Sequence, residues 1–459
     1  MKSRMPMHHH LPLSFAFVVL VVLMGGDGFA ARPNFLLILT DDHGYGDVSA
    51  YHKSDTRTPN IDRLAAEGML FTSMRANCTV CSPSRAALLT GRYADRVGVP
   101  GVIRTEPEIS WGYFDPKVAT LGDDLRKAGY HTAIVGKWHL GLDSPNTPTE
   151  RGFDFFHGFL GDMMDSYITH LRQGHNYMRM NKETVEPQGH ATDIFTDWAS
   201  DYLRDRGKNK EQPFFLYLAY NAPHFPIEPP EEWLAKVKQR APQLDAKRAK
   251  NVAFVEHLDD RIGRVLNVLK ETGLEEDTFV AFSADNGGSL PHGQNNNPWR
   301  GGKQDHYDGG LRVPFMVRWP GQIKAGSRSD YAGLDFDLFP TFLDLAGATP
   351  SPDLDAVSLV PILKGGAITT PRDLYFVRRE GGREYCGKSY EAIIRGEWKL
   401  MQNNPFGQLE LYNLKNDPRE ATNVAAKAPK VFSELADALR LHIQRGGATA
   451  WQPPFTAKP

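Results

Sequence analysis

Four short polar clusters in this chain carry residue types suited to holding a cation and moving an anion. They are Asp41-Asp42-His43-Gly44, Gly136-Lys137-Trp138-His139, Asn221-Ala222-Pro223-His224 and Asp285-Asn286-Gly287-Gly288. Asp41, Asp42, Asp285 and Asn286 offer only carboxylate and amide oxygens. Such a donor set selects a hard cation over zinc, Ca²⁺ first because it tolerates several protein ligands and irregular geometry, with Mg²⁺ the alternative. His139 and His224 are the candidates for proton transfer near neutral pH. Lys303 stands among glycines that let backbone come close to a ligand. A fifth stretch, Cys78–Arg92, predicts a loop turning into a short helix. Pro83 suits a first turn, Ala86 to Leu89 are good helix formers, and Gly91 is a natural stop. Cys81 then sits at a helix N-terminus, where free N–H groups and the helix dipole favour an anion. Arg85, one turn on, can point a permanently charged fork at the same place. Cys78 and Cys81 also have the spacing of a redox pair or half a zinc site. A zinc site needs a second pair, and the only other cysteine is Cys386.

Each of the four clusters follows a short apolar run: Asn34–Thr40, His131–Val135, Pro213–Tyr220 and Thr278–Ser283. Continuous apolar runs bounded by Gly and Pro fit strands buried on both faces. Helical patterns lie between them, at Thr58–Gly68, Leu121–Ala128, Asp193–Arg206 and Val252–Leu269. This alternation predicts an α/β fold, a large mostly parallel central sheet sandwiched by helices. Ligands of such sheets bind off the carboxyl ends of the strands, where all four clusters fall. After about Pro371 the rhythm changes. Leu374–Val377, Glu391–Arg395, Trp398–Leu400 and Leu409–Tyr412 suggest short antiparallel strands, and Lys430–Gln444 a closing amphipathic helix. The expected organisation is therefore a segment at 1–30, a main domain at 31–370 and a smaller C-terminal α+β subdomain at 371–459. The basic stretch Lys236–Lys250 suggests a solvated helix face.

The pattern Cys81-x-Pro83-Ser84-Arg85, continuing to Thr90-Gly91, closely resembles the signature of the type I sulfatases, within the alkaline-phosphatase-like superfamily. The resemblance is strong from Pro33 to Pro320. It implies that a dedicated maturation enzyme oxidises Cys81 to formylglycine, whose hydrated aldehyde is the nucleophile. It implies metal ligation by Asp41, Asp42, Asp285, Asn286 and the modified Cys81. Arg85 and Lys137 would hold the formylglycine, Lys303 and His224 the sulfate and leaving oxygen, and His139 would act as the base that releases sulfate. Gly301-Gly302-Lys303 with Asp308–Pro314, and Glu150–Asp154, resemble N-acetylgalactosamine-6-sulfatases and bacterial polysaccharide sulfatases. Leu411–Pro418 in the tail is similar to the family as well.

A net charge of −2 supplies no global field to recruit nucleic acid, so any anion must be bound locally. Lys2 and Arg4, the apolar run Leu11–Met24 and the small residues of Gly28-Phe29-Ala30 have the form of a signal peptide. The expectation is an exported protein, periplasmic or secreted (lysosomal in a eukaryote), with no membrane span once the signal is removed. Three cysteines leave the fold to its core rather than to disulfides.

Specificity is expected on the loops Arg104–Asp115, His157–Met180 and Leu290–Arg300. Trp299, Arg300, His292 and Arg104 are the candidate substrate residues, with Trp111, Tyr113 and Tyr167 as further stacking candidates. The expected substrate is a sulfated saccharide of polysaccharide or glycosaminoglycan type, including galactose or N-acetylgalactosamine 6-sulfate. The rivals are an arylsulfatase, a phosphonate or phosphate monoester hydrolase, and a non-enzymatic protein that binds sulfated sugar.

Overall fold

Ten strands form the central sheet of the computed structural model, which describes residues 32–380, 389–403 and 407–454. The expected signal segment and Cys386 lie outside the described residues. In chain order the strands are β1 (Asn34–Thr40), β2 (Met69–Phe71), β3 (His131–Lys137), β4 (Phe155–Phe159), β5 (Leu171–Arg172), β6 (His175–Asn176), β7 (Met178–Met180) and β8 (Glu183–Thr184). There follow β9 (Phe214–Ala219), β10 (Thr278–Ala284), β11 (Phe315–Arg318), β12 (Ser327–Ser329), β13 (Leu374–Arg379), β14 (Ser389–Arg395), β15 (Trp398–Gln402) and β16 (Glu410–Asn413). The helices are α1 (Pro59–Glu67), α2 (Cys81–Thr90), α3 (Leu121–Lys127), α4 (Ala191–Lys208), α5 (Glu231–Arg240), α6 (Ala246–Glu271), α7 (Asp308–Leu311), α8 (Leu338–Ala346), α9 (Val360–Leu363) and α10 (Pro429–Gly446).

The central sheet has the order β12-β2-β11-β10-β1-β9-β3-β4-β7-β8. Its five middle strands, β10-β1-β9-β3-β4, run parallel, and antiparallel pairs flank them. All seven residues of β1 are buried. Leu36 and Ile38 share a core with Ile61 of α1, Phe195 of α4 and Phe254 of α6. On the opposite face Phe35 stacks on Phe342 of α8, with ring centroids 4.5 Å apart, and on Tyr130 at 5.4 Å. A strand with apolar neighbours on both faces needs no polar alternation, which is why its sequence is a continuous apolar run.

The helix expected from Val252 starts earlier, at Ala246, because the Asp245 side chain accepts from the N–H groups of Lys247 and Arg248 and caps it. The solvated face expected of Lys236–Lys250 is observed for its lysines, while its two paired arginines turn toward the body. Arg248 pairs with Asp47 at 2.6 Å and with Asp55, and Arg240 pairs with Glu256 at 2.7 Å. Strands β13 to β16 form an antiparallel sheet whose core includes Leu435 and Leu439 of α10 and Ala87 of α2. The chain from Ala31 onward is one compact unit. Among the described residues no helix is long and apolar enough to cross a membrane.

Strand register places the polar clusters together. Thr40 lies opposite Ala284, Leu39 opposite Ala219, and Gly136 opposite Ala219. Parallel strands in this register end together, so the residues after β1, β3, β9 and β10 emerge at one edge. Gly136, with φ +106°, brings β3 close to β9: a Cβ there would meet the Ala219 carbonyl oxygen at 2.0 Å. Gly136→Ala is expected to lose about 1–3 kcal/mol from the dihedral strain alone. A lowered denaturant midpoint would show it, and an unchanged midpoint would refute the close-approach argument.

Candidate active site

Helix α2 begins at Cys81 and ends at Gly91, whose φ of +64° terminates it. No side chain caps its first turn, so its leading N–H groups are available to an anion. The serines of the motif hold the loop in shape. Ser84 Oγ donates to the Cys78 carbonyl at 2.9 Å and accepts from its N–H at 3.2 Å, while Ser82 Oγ accepts from Ile103 N–H at 3.1 Å. Cys78 and Cys81 are both free and buried, and the Cys78 thiol donates to the Val377 carbonyl at 3.1 Å. Cys81 Sγ lies 3.6 Å from Asp41 Oδ1 and 3.9 Å from Lys303 Nζ.

Around that sulfur the four strand ends deliver their charges. Lys137 Nζ donates to Asp41 Oδ2 at 2.5 Å. Arg85 reaches Asp285 Oδ2 with two nitrogens, at 2.8 and 3.0 Å, and Asp41 Oδ2 at 3.3 Å. Lys303 Nζ donates to Asp42 Oδ2 at 2.7 Å and to His224 Nε2 at 3.0 Å. Asn286 Nδ2 donates to Asp42 Oδ1 at 2.8 Å, and the Asp42 N–H to Asp285 Oδ1 at 3.1 Å. Asp42 and His139 hold φ of +57° and +59°, left-handed conformations that non-glycine residues adopt at a cost of about 1–3 kcal/mol. Burial would raise the Asp41 pKa, but Lys137, His224, Arg85 and Lys303 together carry it well below the usual carboxylate range. Asp285 goes the other way, because burial and the adjacent Asp41 outweigh its pairing with Arg85. Burial opposes the charge on Lys303, yet Asp42 more than offsets it and raises its pKa.

The two histidines have defined tautomers. His139 Nε2 is 2.7 Å from the Ile103 carbonyl, which can only accept, so Nε2 carries the proton. His139 Nδ1 is buried with no hydrogen-bond partner among the described residues, leaving a lone pair on a residue that lines the site cavity. Burial, Lys137 and Arg85 hold its pKa well below 6.5. His224 Nδ1 donates to the Phe225 carbonyl at 2.5 Å, so its Nε2 is the acceptor for Lys303. Burial and Lys303 lower His224 to about 4. Both rings are therefore neutral at physiological pH.

The cavity above Cys81 has a volume of about 330 Å³. Cys81, Asp42, His139, His224 and Lys303 line it, as do Arg104 and His292 among the expected substrate residues. Trp299 and Arg300 do not, which corrects their expected role. The Arg312 guanidinium lies over the Trp299 ring at 4.0 Å, and Arg300 lies over Tyr307 at 3.8 Å and donates to the Glu420 carbonyl. Of the further stacking candidates, Tyr167 is buried and donates to the carbonyls of Asn221 and His224, bracing that loop, while Trp111 stacks on Trp451. Sequence reasoning missed Asp162, Met163, Arg172, Phe225 and Glu380, which also line the cavity. The loop Arg104–Asp115 enters through Arg104, and His157–Met180 through Asp162, Met163 and Arg172.

The donor set fits a hard divalent cation. Three buried carboxylates crowd together, one of them with a raised pKa, and Asn286 Oδ1 is buried with no hydrogen-bond partner among the described residues. Ligand atoms of Asp41, Asp42, Cys81 and His224 also lie within 4.8 Å of one another. His224 Nε2 already serves Lys303, so the oxygen donors Asp41, Asp42, Asp285 and Asn286 are the better match.

Such a site, at the carboxyl edge of a parallel sheet with its reactive position on a helix N-terminus, defines a hydrolase of oxyanion esters. Known proteins narrow the class. The sulfatase family model matches residues 33–348, and a model of the C-terminal part of N-sulphoglucosamine sulphohydrolase matches residues 302–445. The N-acetylgalactosamine-6-sulfatase of Sus scrofa is 37% identical over 399 residues, covering 82% of this chain and 73% of the relative. That of Homo sapiens is 36% identical over 378 residues, covering 77% and 70%. The crystal structure of Ps i-CgsB in complex with k-i-k-neocarrahexaose matches with a TM-score of 0.83 and 30% identity, over 92% of this chain and 95% of that one. The chain belongs to the type I sulfatase family, and it is a sulfuric ester hydrolase.

A base must be neutral to accept a proton, so activity that depends on His139 is lost as pH falls through its pKa. That pKa is depressed, so kcat is expected to persist below pH 6.5 in the wild type. Lys137→Met removes one of the cations that depress it. The acid limb of the residual kcat is then expected to move to higher pH. A limb that stays in place or moves down would remove His139 as the base.

Proposed function

We propose that this chain releases sulfate from a sulfated carbohydrate, using a formylglycine formed from Cys81 and a bound Ca²⁺. The observation that carries the reading is the state of Cys81. Its sulfur sits at an uncapped helix N-terminus among three cations, yet burial and Asp41 push the thiol pKa up, so the unmodified side chain is no thiolate nucleophile. Sγ marks the position that a formylglycine oxygen would occupy after oxidation by a maturation enzyme. The hydrated aldehyde supplies two hydroxyls on one carbon, one to attack sulfur and one whose deprotonation expels sulfate. Ca²⁺, when held by Asp41, Asp42, Asp285 and Asn286, orients the reacting oxygens and offsets sulfate charge.

The protein side chains do the rest. Lys137 and Arg85 fix the position of the modified residue through Asp41 and Asp285. Lys303 faces the transferring group and is the proton donor to the leaving alkoxide, while His224, whose Nε2 accepts from Lys303, orients that ammonium and takes up a proton from it. His139 Nδ1, with its unshared lone pair, takes the hydroxyl proton in the release step. The carbohydrate assignment is supported by N-acetylgalactosamine-6-sulfatase relatives and by the neocarrahexaose bound to Ps i-CgsB. A 6-sulfate on galactose or N-acetylgalactosamine is the specific form proposed. Export to the periplasm, the exterior or a lysosome rests on the N-terminal sequence pattern.

Sulfate release from a panel of sulfated sugars, set beside 4-nitrophenyl sulfate, tests the substrate class; turnover of the aryl ester alone would refute it. Intact mass tests the nucleophile: the active chain should be lighter by one H₂S lost against one oxygen gained. Lys137→Ala is expected to lower kcat by about 10²–10³-fold, as for loss of one charge-stabilising donor. Ca²⁺ at a hundredfold excess over its Kd should stabilise the fold by about 2.7 kcal/mol, read as a rise in Tm that Asp42→Ala abolishes.

A further inference from the structure

The walls of the cavity beyond the charge cluster have a chemistry that the reaction itself does not use. Asp162 is 5% exposed and accepts from Arg172 Nε at 2.9 Å, Arg172 Nη2 at 3.2 Å and the Met163 N–H at 2.8 Å. Glu380 is 2% exposed and accepts from Arg378 Nε and Nη2, both at 3.2 Å, and from Arg104 Nη2 at 3.2 Å. An ionised carboxylate offers about four lone-pair positions, so each retains acceptor capacity toward the cavity it lines. Arg172 has a further carboxylate, Asp165, at 3.0 Å. Among the described residues the arginines of this wall, Arg104 and Arg172, are thus already opposite a carboxylate. Phe225, on the same cavity, is 41% exposed. Its ring stacks on His292 with centroids 4.6 Å apart and planes inclined by 15°, which fixes its orientation.

Resting on the carbohydrate reading above, we infer that Asp162 and Glu380 accept hydrogen bonds from hydroxyls of the sulfated pyranose, while Phe225 carries its apolar face. The sugar bearing the scissile sulfate then carries no second anionic group. A carboxylate or second sulfate on that ring would face Asp162 and Glu380, and among the described residues the arginines beside them are already paired with carboxylates. Hydroxyl donors suit fixed, buried carboxylates, and charge-assisted bonds of this kind are the strong ones. The C–H-rich face of a pyranose suits an exposed aromatic ring of fixed orientation. Cavity volume agrees, since about 330 Å³ accommodates a single ring rather than a stretch of polymer.

The test uses the mature enzyme, with wild type, Asp162→Asn and Phe225→Leu assayed on N-acetylgalactosamine 6-sulfate, its 4,6-disulfate and 4-nitrophenyl sulfate. Wild type should prefer the monosulfated sugar. Asp162→Asn should raise KM for that sugar by about tenfold or more, the size of one lost charge-assisted hydrogen bond. The same variant should narrow the preference over the disulfate and leave the aryl ester within about twofold. Phe225→Leu should raise the sugar KM without changing the disulfate discrimination. The inference is overturned if Asp162→Asn leaves the sugar KM unchanged, if it lowers both substrate types equally, or if wild type prefers the disulfate. Wild type that turns over only the aryl ester overturns the carbohydrate reading itself, a result distinct from sugar turnover indifferent to Asp162.

Discussion

Six charged side chains meet in the dry edge of one sheet, and the rest of the structure depends on their mutual compensation. Asp41, Asp42 and Asp285 face Arg85, Lys137 and Lys303, and all but Lys303 are essentially inaccessible to solvent. Burying any one of them alone would cost several kcal/mol, so no loop can adopt its position without the others. Parallel register makes the gathering feasible, because β1, β3, β9 and β10 stop at the same level. The compensation is uneven. Asp41 holds two cations and is strongly acidic, while Asp285 stays burdened by its acidic neighbour. A cluster left in that state is one that a divalent cation would relax.

The C-terminal sheet supplies none of these charges, yet it fixes two of the loops that carry them. On the nucleophile side, Asn77 donates to the Tyr375 carbonyl and the Cys78 thiol to that of Val377, both on β13. On the other side, the segment after Lys303 is clamped by Asn403, which accepts from the His306 N–H, and by Glu420, which accepts from that of Asp308. Lys399 joins Asp308 to Glu420 at 3.2 and 2.7 Å, and Arg75 pairs with Asp308 from the main body. These bonds make the C-terminal α+β part a member of the site's framework.

Periodicity made the framework legible. Strand β1 has the limits its apolar run suggested, and α2 starts at the cysteine that the position of Pro83 indicated. The charge cluster was legible too, because motif-bearing strand ends in a parallel sheet can only converge. Direction and partnership were not. Trp299 and Arg300 looked like sugar clamps by type, but which way a loop side chain turns depends on Arg312, Tyr307 and Glu420, distant in sequence. Arg248 sits in a run of lysines, and only the return of Asp47 and Asp55 beside it makes it a structural anchor. Asp162 and Glu380 belong to no motif, and their meaning comes from a shared cavity.

The site also separates its labours by electrostatics. Burial and the cations that charge the cavity together depress the nearby imidazoles, so His139 and His224 each keep an unprotonated ring nitrogen. If either ring were charged, it would add to anion binding but lose its use as a base. Two backbone carbonyls enforce the division further, Ile103 fixing the proton of His139 on Nε2 and Phe225 that of His224 on Nδ1. Each ring therefore presents its unprotonated nitrogen inward, His139 to the cavity and His224 to Lys303. Permanent charge is left to Arg and Lys, and mobile protons to histidine, because burial shifts the two kinds of group in opposite usefulness: an arginine paired with carboxylates keeps its charge, whereas a histidine among cations gives its charge up.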